Sequence, residues 1–272
     1  MSFAAAIASG IALALSFPRY GHPVVAFVAL APLLFALSGW RGRPGVAPGV
    51  SLWRGFKLGL VTGFLHFAGT VYWTGMTVQT FGGLSWPVAV LVAGLLVLYM
   101  ATYLAIASVF TGVFIRRFGS AGLFLAPAAW VLMEYLRGHL IGGFPWIPLG
   151  SATATLLPLA QLASITGVYG LSFLLAAINT GFVYAAISTR QRRLMAIAGT
   201  LVLILGLSTW GSWRISRNVL VTKGQPVTVG LIQGNIAQID KWNPARAPMI
   251  VDRYLQLKQQ AVDGGEIGRA HV

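Results

Sequence analysis

WVLMEYLRGHLIGGFPWIPLG, residues Trp130 to Gly150, decides how the chain is read. It opens as an apolar helix that carries Glu134, the only acidic residue ahead of Asp240. It passes Arg137 and His139, then breaks up at Gly142, Gly143, Pro145 and Pro148 around Phe144 and Trp146. An ionisable side chain in an apolar helix costs roughly 2.5–3.5 kcal/mol at mid-membrane and less near an interface, so it normally faces protein or water and marks a functional site. A plainer reading stands beside that one. Glu134 pairs with Arg137, three residues on along one helical face, and the pair only ends a span. Glu134 is expected to face the bundle interior or the outer interface, with Arg137 or a backbone donor as its partner. The broken run that follows, residues 139–165, does not read as plain spanning helix. Irregular backbone at membrane depth is tolerated only against protein or a wet cavity. This run is therefore expected to be a re-entrant or interfacial segment lining a site.

The surroundings of that stretch are those of a membrane protein. The 272 residues are 57% hydrophobic and 9% charged, against about 25% charged in a soluble domain. The net charge of +14 does not point to nucleic acid, because the basic residues sit in short clusters between apolar runs, as juxtamembrane anchors do. There is no cysteine, hence no disulfide, thiolate metal site or thiol nucleophile. His22, His66, His139 and His271 are scattered and show no metal-ligand spacing. No metal or cofactor is expected.

Working outward, apolar runs at 3–17 and 23–38 flank Pro18, Arg19 and Tyr20 and read as two linked spans. Both are shorter than the ~20 residues a span usually needs. A third span is expected over about 56–75, where Gly55, Gly59 and Gly63 share a helix face and admit a neighbouring backbone. Further spans are expected at about 87–114, 120–137, 166–188 and 194–212. Loops 39–57, 115–118 and 189–193 contain Arg41, Arg43, Arg54, Lys57, Arg116, Arg117, Arg190, Arg192 and Arg193; the alternate loops contain only Arg19 and Arg137. By the positive-inside rule the N-terminus is cytoplasmic. Residues 76–85, 137–165 and everything after 213 then lie outside.

Past Arg217 acids appear and the apolar runs shorten. Residues 227–232 are rich in β-branched side chains and read as a strand, followed by a turn through Gly234 and Asn235. Gln233 and Asn235 suit a turn that bonds its own backbone. Pro244 to about Val262 reads as an amphipathic helix with Ile250, Tyr254 and Leu257 on one face. A strand and then a helix is how a soluble α/β domain begins.

Three stretches together resemble the bacterial apolipoprotein N-acyltransferase family: EYLRG…GFPW…LG at 134–150, LAQLASITGVYGLSFL at 159–174 and VGLIQGNIAQIDKW at 229–242. The last alone would point only to a nitrilase-like fold. The resemblance implies a helical membrane domain with a nitrilase-like αββα domain on its periplasmic side, in the bacterial inner membrane. It implies transfer of an acyl chain from a phospholipid to the α-amino group of a lipoprotein's N-terminal diacylglyceryl-cysteine. A cysteine thiolate would take the acyl group as a thioester, with a glutamate as base and a lysine at the oxyanion. Partners are then a phospholipid acyl donor, a diacylated lipoprotein acceptor and the bilayer, with no nucleic acid, and the protein acts as a monomer.

The chain departs from that pattern. The family's glutamate, lysine and cysteine lie beyond the strand and helix seen here. Glu266 sits in GGEIGRAHV, outside the family's context, so no catalytic role is carried over to it. EIGRAHV resembles the read-through of a sequencing adapter, and residues 266–272 are expected to be a non-native tail. The expected architecture is mainly α: a polytopic transmembrane helical bundle of about seven spans over 1–217, then over 226–263 the first strand and helix of a truncated nitrilase-like domain. No catalytic residue is assigned. Candidate substrate-binding residues are Trp242, Glu134, Arg137, Phe144, Pro145 and Trp146. Trp242 matches a tryptophan the family needs near its active site, with a packing aromatic at a domain edge as the other reading. Phe144, Pro145 and Trp146 either line the lipid's way in or are plain interfacial aromatics. Two other classes stay open. One is a membrane transport protein with a broken helix lining a solute site, against which stand the single broken segment and the lack of an internal repeat. The other is a non-catalytic anchor for an outside domain.

Overall fold

A computed structural model describes residues 2–17, 21–217 and 229–264. The chain divides into two compact units, residues 1–217 and 218–272, and each is described by itself. The expected link at Pro18–Tyr20, residues 227–228 of the expected strand and the 266–272 tail lie outside the described residues.

The first unit is helical throughout its regular parts. In chain order it forms α1 (Ser2–Leu15), a 3-10 turn (Pro23–Phe27), α2 (Ala31–Ser38), α3 (Leu52–Thr70), α4 (Trp73–Gly82) and α5 (Trp86–Phe118). A 3-10 stretch (Gly119–Leu125), α6 (Ala126–His139), α7 (Leu157–Ala160), α8 (Ala163–Ile187) and α9 (Arg190–Ser216) follow. Local sequence sets many of the ends. Pro lies in the first turn of α2, α5 and α6, where a missing N–H costs nothing. Ser51 caps α3 by accepting from Arg54 N at 3.4 Å. α2 and α4 stop at Gly39 and Gly83, both left-handed, a conformation glycine adopts without a Cβ penalty.

Among the described residues, three helical stretches are long and apolar enough to cross a membrane: Trp86–Gly142, Ala163–Ile187 and Arg190–Ser216. The helices at Ser2–Leu15 and Pro23–Ser38 are apolar but shorter. Three of the expected spans are not single α-helices. The run 23–38 breaks between its 3-10 turn and α2, the run 56–75 passes from α3 to α4 at residues 71–72, and the run 120–137 begins as 3-10 before α6.

Small residues let the helices meet. A Cβ on Gly59 would stand 2.7 Å from Ala105 Cα and one on Gly63 would stand 2.9 Å from Ala101 Cα. The glycine face expected on α3 is thus where α5 packs, the way helices associate in lipid. Thr62 donates to Ala6 O at 2.9 Å, tying α3 to α1. Ser9 donates to Ala29 O at 2.6 Å and accepts from Leu33 N at 3.0 Å. The break between the 3-10 turn and α2 exposes backbone groups that must be paired when buried. Asn179, fully buried on α8, meets them with one amide. Its Oδ1 accepts from Leu30 N and Ala31 N, both at 2.9 Å, and its Nδ2 donates to Ala26 O at 2.9 Å and to Leu175 O at 2.8 Å.

In the second unit residues 229–237 carry no regular secondary structure. They lead to α10 (Gln238–Lys241), a 3-10 turn (Pro244–Arg246) and α11 (Ala247–Asp263). The helix expected from Pro244 is present, with Ile250 and Leu257 half-buried. The described part of the expected strand, 229–232, is not a strand. A strand exists by pairing its backbone with a neighbour, and no other strand occurs among the described residues. Asn235 does take a left-handed turn, with φ 52°.

Candidate functional site

The last two turns of α6 build the site. Leu132 and Tyr135 point outward there, whereas Met133 is buried together with Glu134 and Arg137, three apart, at 7% and 2% exposure. The direct pair between them is not made. Among the described residues the one ion pair within 4 Å joins Arg246 to Asp240. Glu134 and Arg137 turn instead to the broken segment that follows them. Glu134 Oε1 accepts from Leu149 N at 2.6 Å. Arg137 Nη1 donates to Phe144 O at 3.1 Å and to Trp146 O at 2.7 Å. The backbone adds Phe144 N to Arg137 O at 2.9 Å. The guanidinium also lies 5.1 Å from the Phe67 ring centroid on α3, a cation–π distance.

This arrangement has a simple cause. Residues 143–148 have no helical ladder, so their N–H and C=O groups need other partners wherever water is excluded. A carboxyl accepts and a guanidinium donates. One side chain of each kind, side by side on α6, holds the segment at residues 144, 146 and 149. The far end docks on α8. Gly150 N donates to Ser172 Oγ at 2.8 Å. A Cβ on Gly150 would stand 2.7 Å from Leu171 Cβ, so glycine alone permits this approach.

The segment is also strained. Ile141 and Ile147 adopt φ 54° and 59°, a region that β-branched residues rarely enter. Such outliers cost on the order of 1–3 kcal/mol each and gather where surrounding structure enforces them. Between them lies GGFPW. Phe144 is half-buried against the Phe67, Val71 and Met100 cluster, whereas Pro145 and Trp146 are exposed. The Trp146 ring meets Trp73 edge-on at 5.4 Å. The segment thus presents an aromatic edge on a backbone fixed from beneath.

Under the clamp is a cavity of about 20 Å³, lined by His66, Tyr103, Trp130, Glu134, Arg137 and Ile147 among others. That is about the room one water needs. The Trp130 indole and the Ser172 hydroxyl are polar neighbours of the Glu134 carboxyl, though neither is aligned for a hydrogen bond to Oε2. His66 Nδ1 is buried without a hydrogen-bond partner, and its ring lies 4.6 Å from Phe67.

Of the residues singled out in the sequence, Glu134, Arg137, Phe144, Pro145 and Trp146 come together here. Trp242 belongs to the second unit and is 79% exposed there, with Lys241 Nζ 6.0 Å from its ring. His66, Trp130 and Ser172 were not foreseen. His66 had a signal: it follows Gly59 and Gly63 at helical spacing and so shares the face that must be buried.

Residues 9–181 match the family model for the apolipoprotein N-acyltransferase N-terminal domain. Among similar proteins, an apolipoprotein N-acyltransferase of Geobacter metallireducens is 38% identical over 265 residues, covering 96% of this chain and 48% of the relative. One of Shewanella oneidensis is 34% identical over 254 residues, covering 88% of this chain and 47% of the relative. One of Coxiella burnetii is 31% identical over 272 residues, covering 98% and 53%. The chain spans about half the length of these relatives.

Proposed function

Because the chain belongs to the apolipoprotein N-acyltransferase family, we propose that it serves the transfer of an acyl chain from a phospholipid to the N-terminal diacylglyceryl-cysteine of a lipoprotein. Its place is the bacterial inner membrane, as a monomer with seven spans and a cytoplasmic N-terminus. Residues 226–263 are the start of a periplasmic nitrilase-like domain, and Trp242 stands on its substrate side. The basic loops that alternate with neutral ones support this orientation.

The observation that carries the reading is the clamp of Glu134 and Arg137 on residues 144–149. It holds Phe144, Pro145 and Trp146 as a fixed aromatic edge beside apolar helices, a surface that suits an acyl chain near an interface. Glu134 and Arg137 act as positioning residues. The reaction itself needs a nucleophile whose acyl adduct is more reactive than an ester. A thiolate supplies this: it attacks the ester carbonyl, releases the lysophospholipid, and yields its acyl group to the incoming amine. These 272 residues contain no cysteine, so their share is binding and orientation of substrate.

Two assays on the detergent-purified chain test this. Incubation with phospholipid and a diacylated lipopeptide should give no triacylated product and no covalent acyl adduct by mass spectrometry; either one would overturn the division between binding and chemistry. A phospholipid with a photoreactive acyl chain should label residues 140–150, and Trp146→Ala should weaken that labelling. Labelling confined to other helices would remove the aromatic edge from the acyl path.

A further inference from the structure

A groove of about 410 Å³ lies between α8 and α9, inside the range of about 300–1,000 Å³ typical of ligand pockets. Phe124, Gly181, Tyr184, Arg192, Gly199 and Leu203 line it. None of them belongs to the clamp, and the groove does not depend on the reading given to that site. The Phe124 and Tyr184 rings meet at 4.8 Å and form an apolar wall. From residue 192 to residue 203 the groove follows α9 for about 16 Å, at the α-helical rise per residue. That length suits an extended hydrocarbon chain better than a compact solute.

One end is charged. Arg192 is exposed and makes no hydrogen bond or ion pair among the described residues. Its neighbour Arg193 is engaged, donating from Nε to Ala185 O at 3.1 Å. A guanidinium fits phosphate oxygens in a forked geometry and is weakly hydrated, and basic groups at a membrane surface draw anionic headgroups. An apolar groove alone would take any chain, and a guanidinium alone any anion. Joined end to end, they fit a molecule with both parts. We propose that this groove holds one acyl chain of an anionic phospholipid, with its phosphate on Arg192, drawn from the leaflet that the basic loops face.

The test is native mass spectrometry of the detergent-purified chain offered phosphatidylglycerol or phosphatidylethanolamine with identical acyl chains. Phosphatidylglycerol should be retained about fivefold better, the share of one basic group at a membrane surface. Arg192→Gln should abolish that preference, while Arg190→Gln, which removes an exposed arginine outside the groove lining, should keep it. Gly199→Leu should lower retention of both lipids. A Cβ there meets nothing within 4 Å, so the new side chain fills the groove without displacing a helix. Thermal melting checks that each variant is folded, and the exposed Arg192 can be replaced without disturbing the core. Equal retention of the two lipids, equal effects of Arg190→Gln and Arg192→Gln, or unchanged retention in a folded Gly199→Leu would each overturn the proposal and leave only a non-specific lipid annulus.

Discussion

Arg137 and Glu134 divide the polar groups of a broken backbone between them, one serving carbonyls and the other an N–H. Their replacements should therefore rank by hydrogen-bonding capacity rather than by charge. Glu134→Gln keeps an acceptor for Leu149 N and should cost under about 1 kcal/mol. Glu134→Leu leaves that buried donor unpaired and should cost about 1–3 kcal/mol. Arg137→Gln loses the two bonds from one nitrogen and should cost about 2 kcal/mol, on the scale of hydrogen bonds to charged groups. Melting curves in detergent read the order. A Glu134→Gln protein as damaged as Glu134→Leu would show that charge, not the acceptor, holds the segment. Limited proteolysis adds a local readout: Arg137→Gln should open the chain near Ile141, already 88% exposed, before it opens elsewhere.

The pairing of α3 with α5 belongs to the scale of whole elements, because two helix backbones approach along a face of glycines. Gly63→Val must push against Ala101 Cα, 2.9 Å from the new Cβ position, and should cost about 1–3 kcal/mol as overpacking does. Gly94→Ala, on α5 where an added Cβ meets nothing within 4 Å, should instead be neutral or stabilise by about 0.5–1 kcal/mol. Equal melting temperatures for the two variants would mean that the helices do not meet on this face. That face was legible in the spacing of Gly55, Gly59 and Gly63, since period and residue size fix where a helix admits a neighbour. The break after His139 was legible from Gly and Pro. A backbone donor for Glu134 was legible as the alternative to Arg137, but not which one: Leu149 N arrives because the chain folds back, and no local pattern states that. The described part of the expected strand, 229–232, departs for a related reason: β-branched residues favour extended backbone, but a strand also needs a neighbour that residues 229–264 do not supply.

For the whole molecule, orientation is the property with the widest reach, and the lack of native cysteine makes it measurable. Thr80→Cys and Ile141→Cys, both at exposed positions, should react with a membrane-impermeant thiol reagent in intact spheroplasts. Val46→Cys, 52% exposed in the basic loop, should react only after lysis. The reverse pattern would invert the bundle and place the aromatic edge on the other side of the membrane. Assembly order follows from the amide of Asn179. It completes the pairing of Leu30 N, which lies 149 residues earlier in the chain. A ribosome delivers the acceptor long after the donors, so the region around residues 26–31 cannot reach its final pairing while α8 is still being made. Nascent chains arrested before residue 179 should leave an engineered Cys at Ala29, fully buried in the finished fold, open to modification, and chains arrested beyond α9 should protect it. A segment made early would then be among those that set late, and a cell short of time or chaperones would lose the fold around residues 26–31 before it lost the helices made after them.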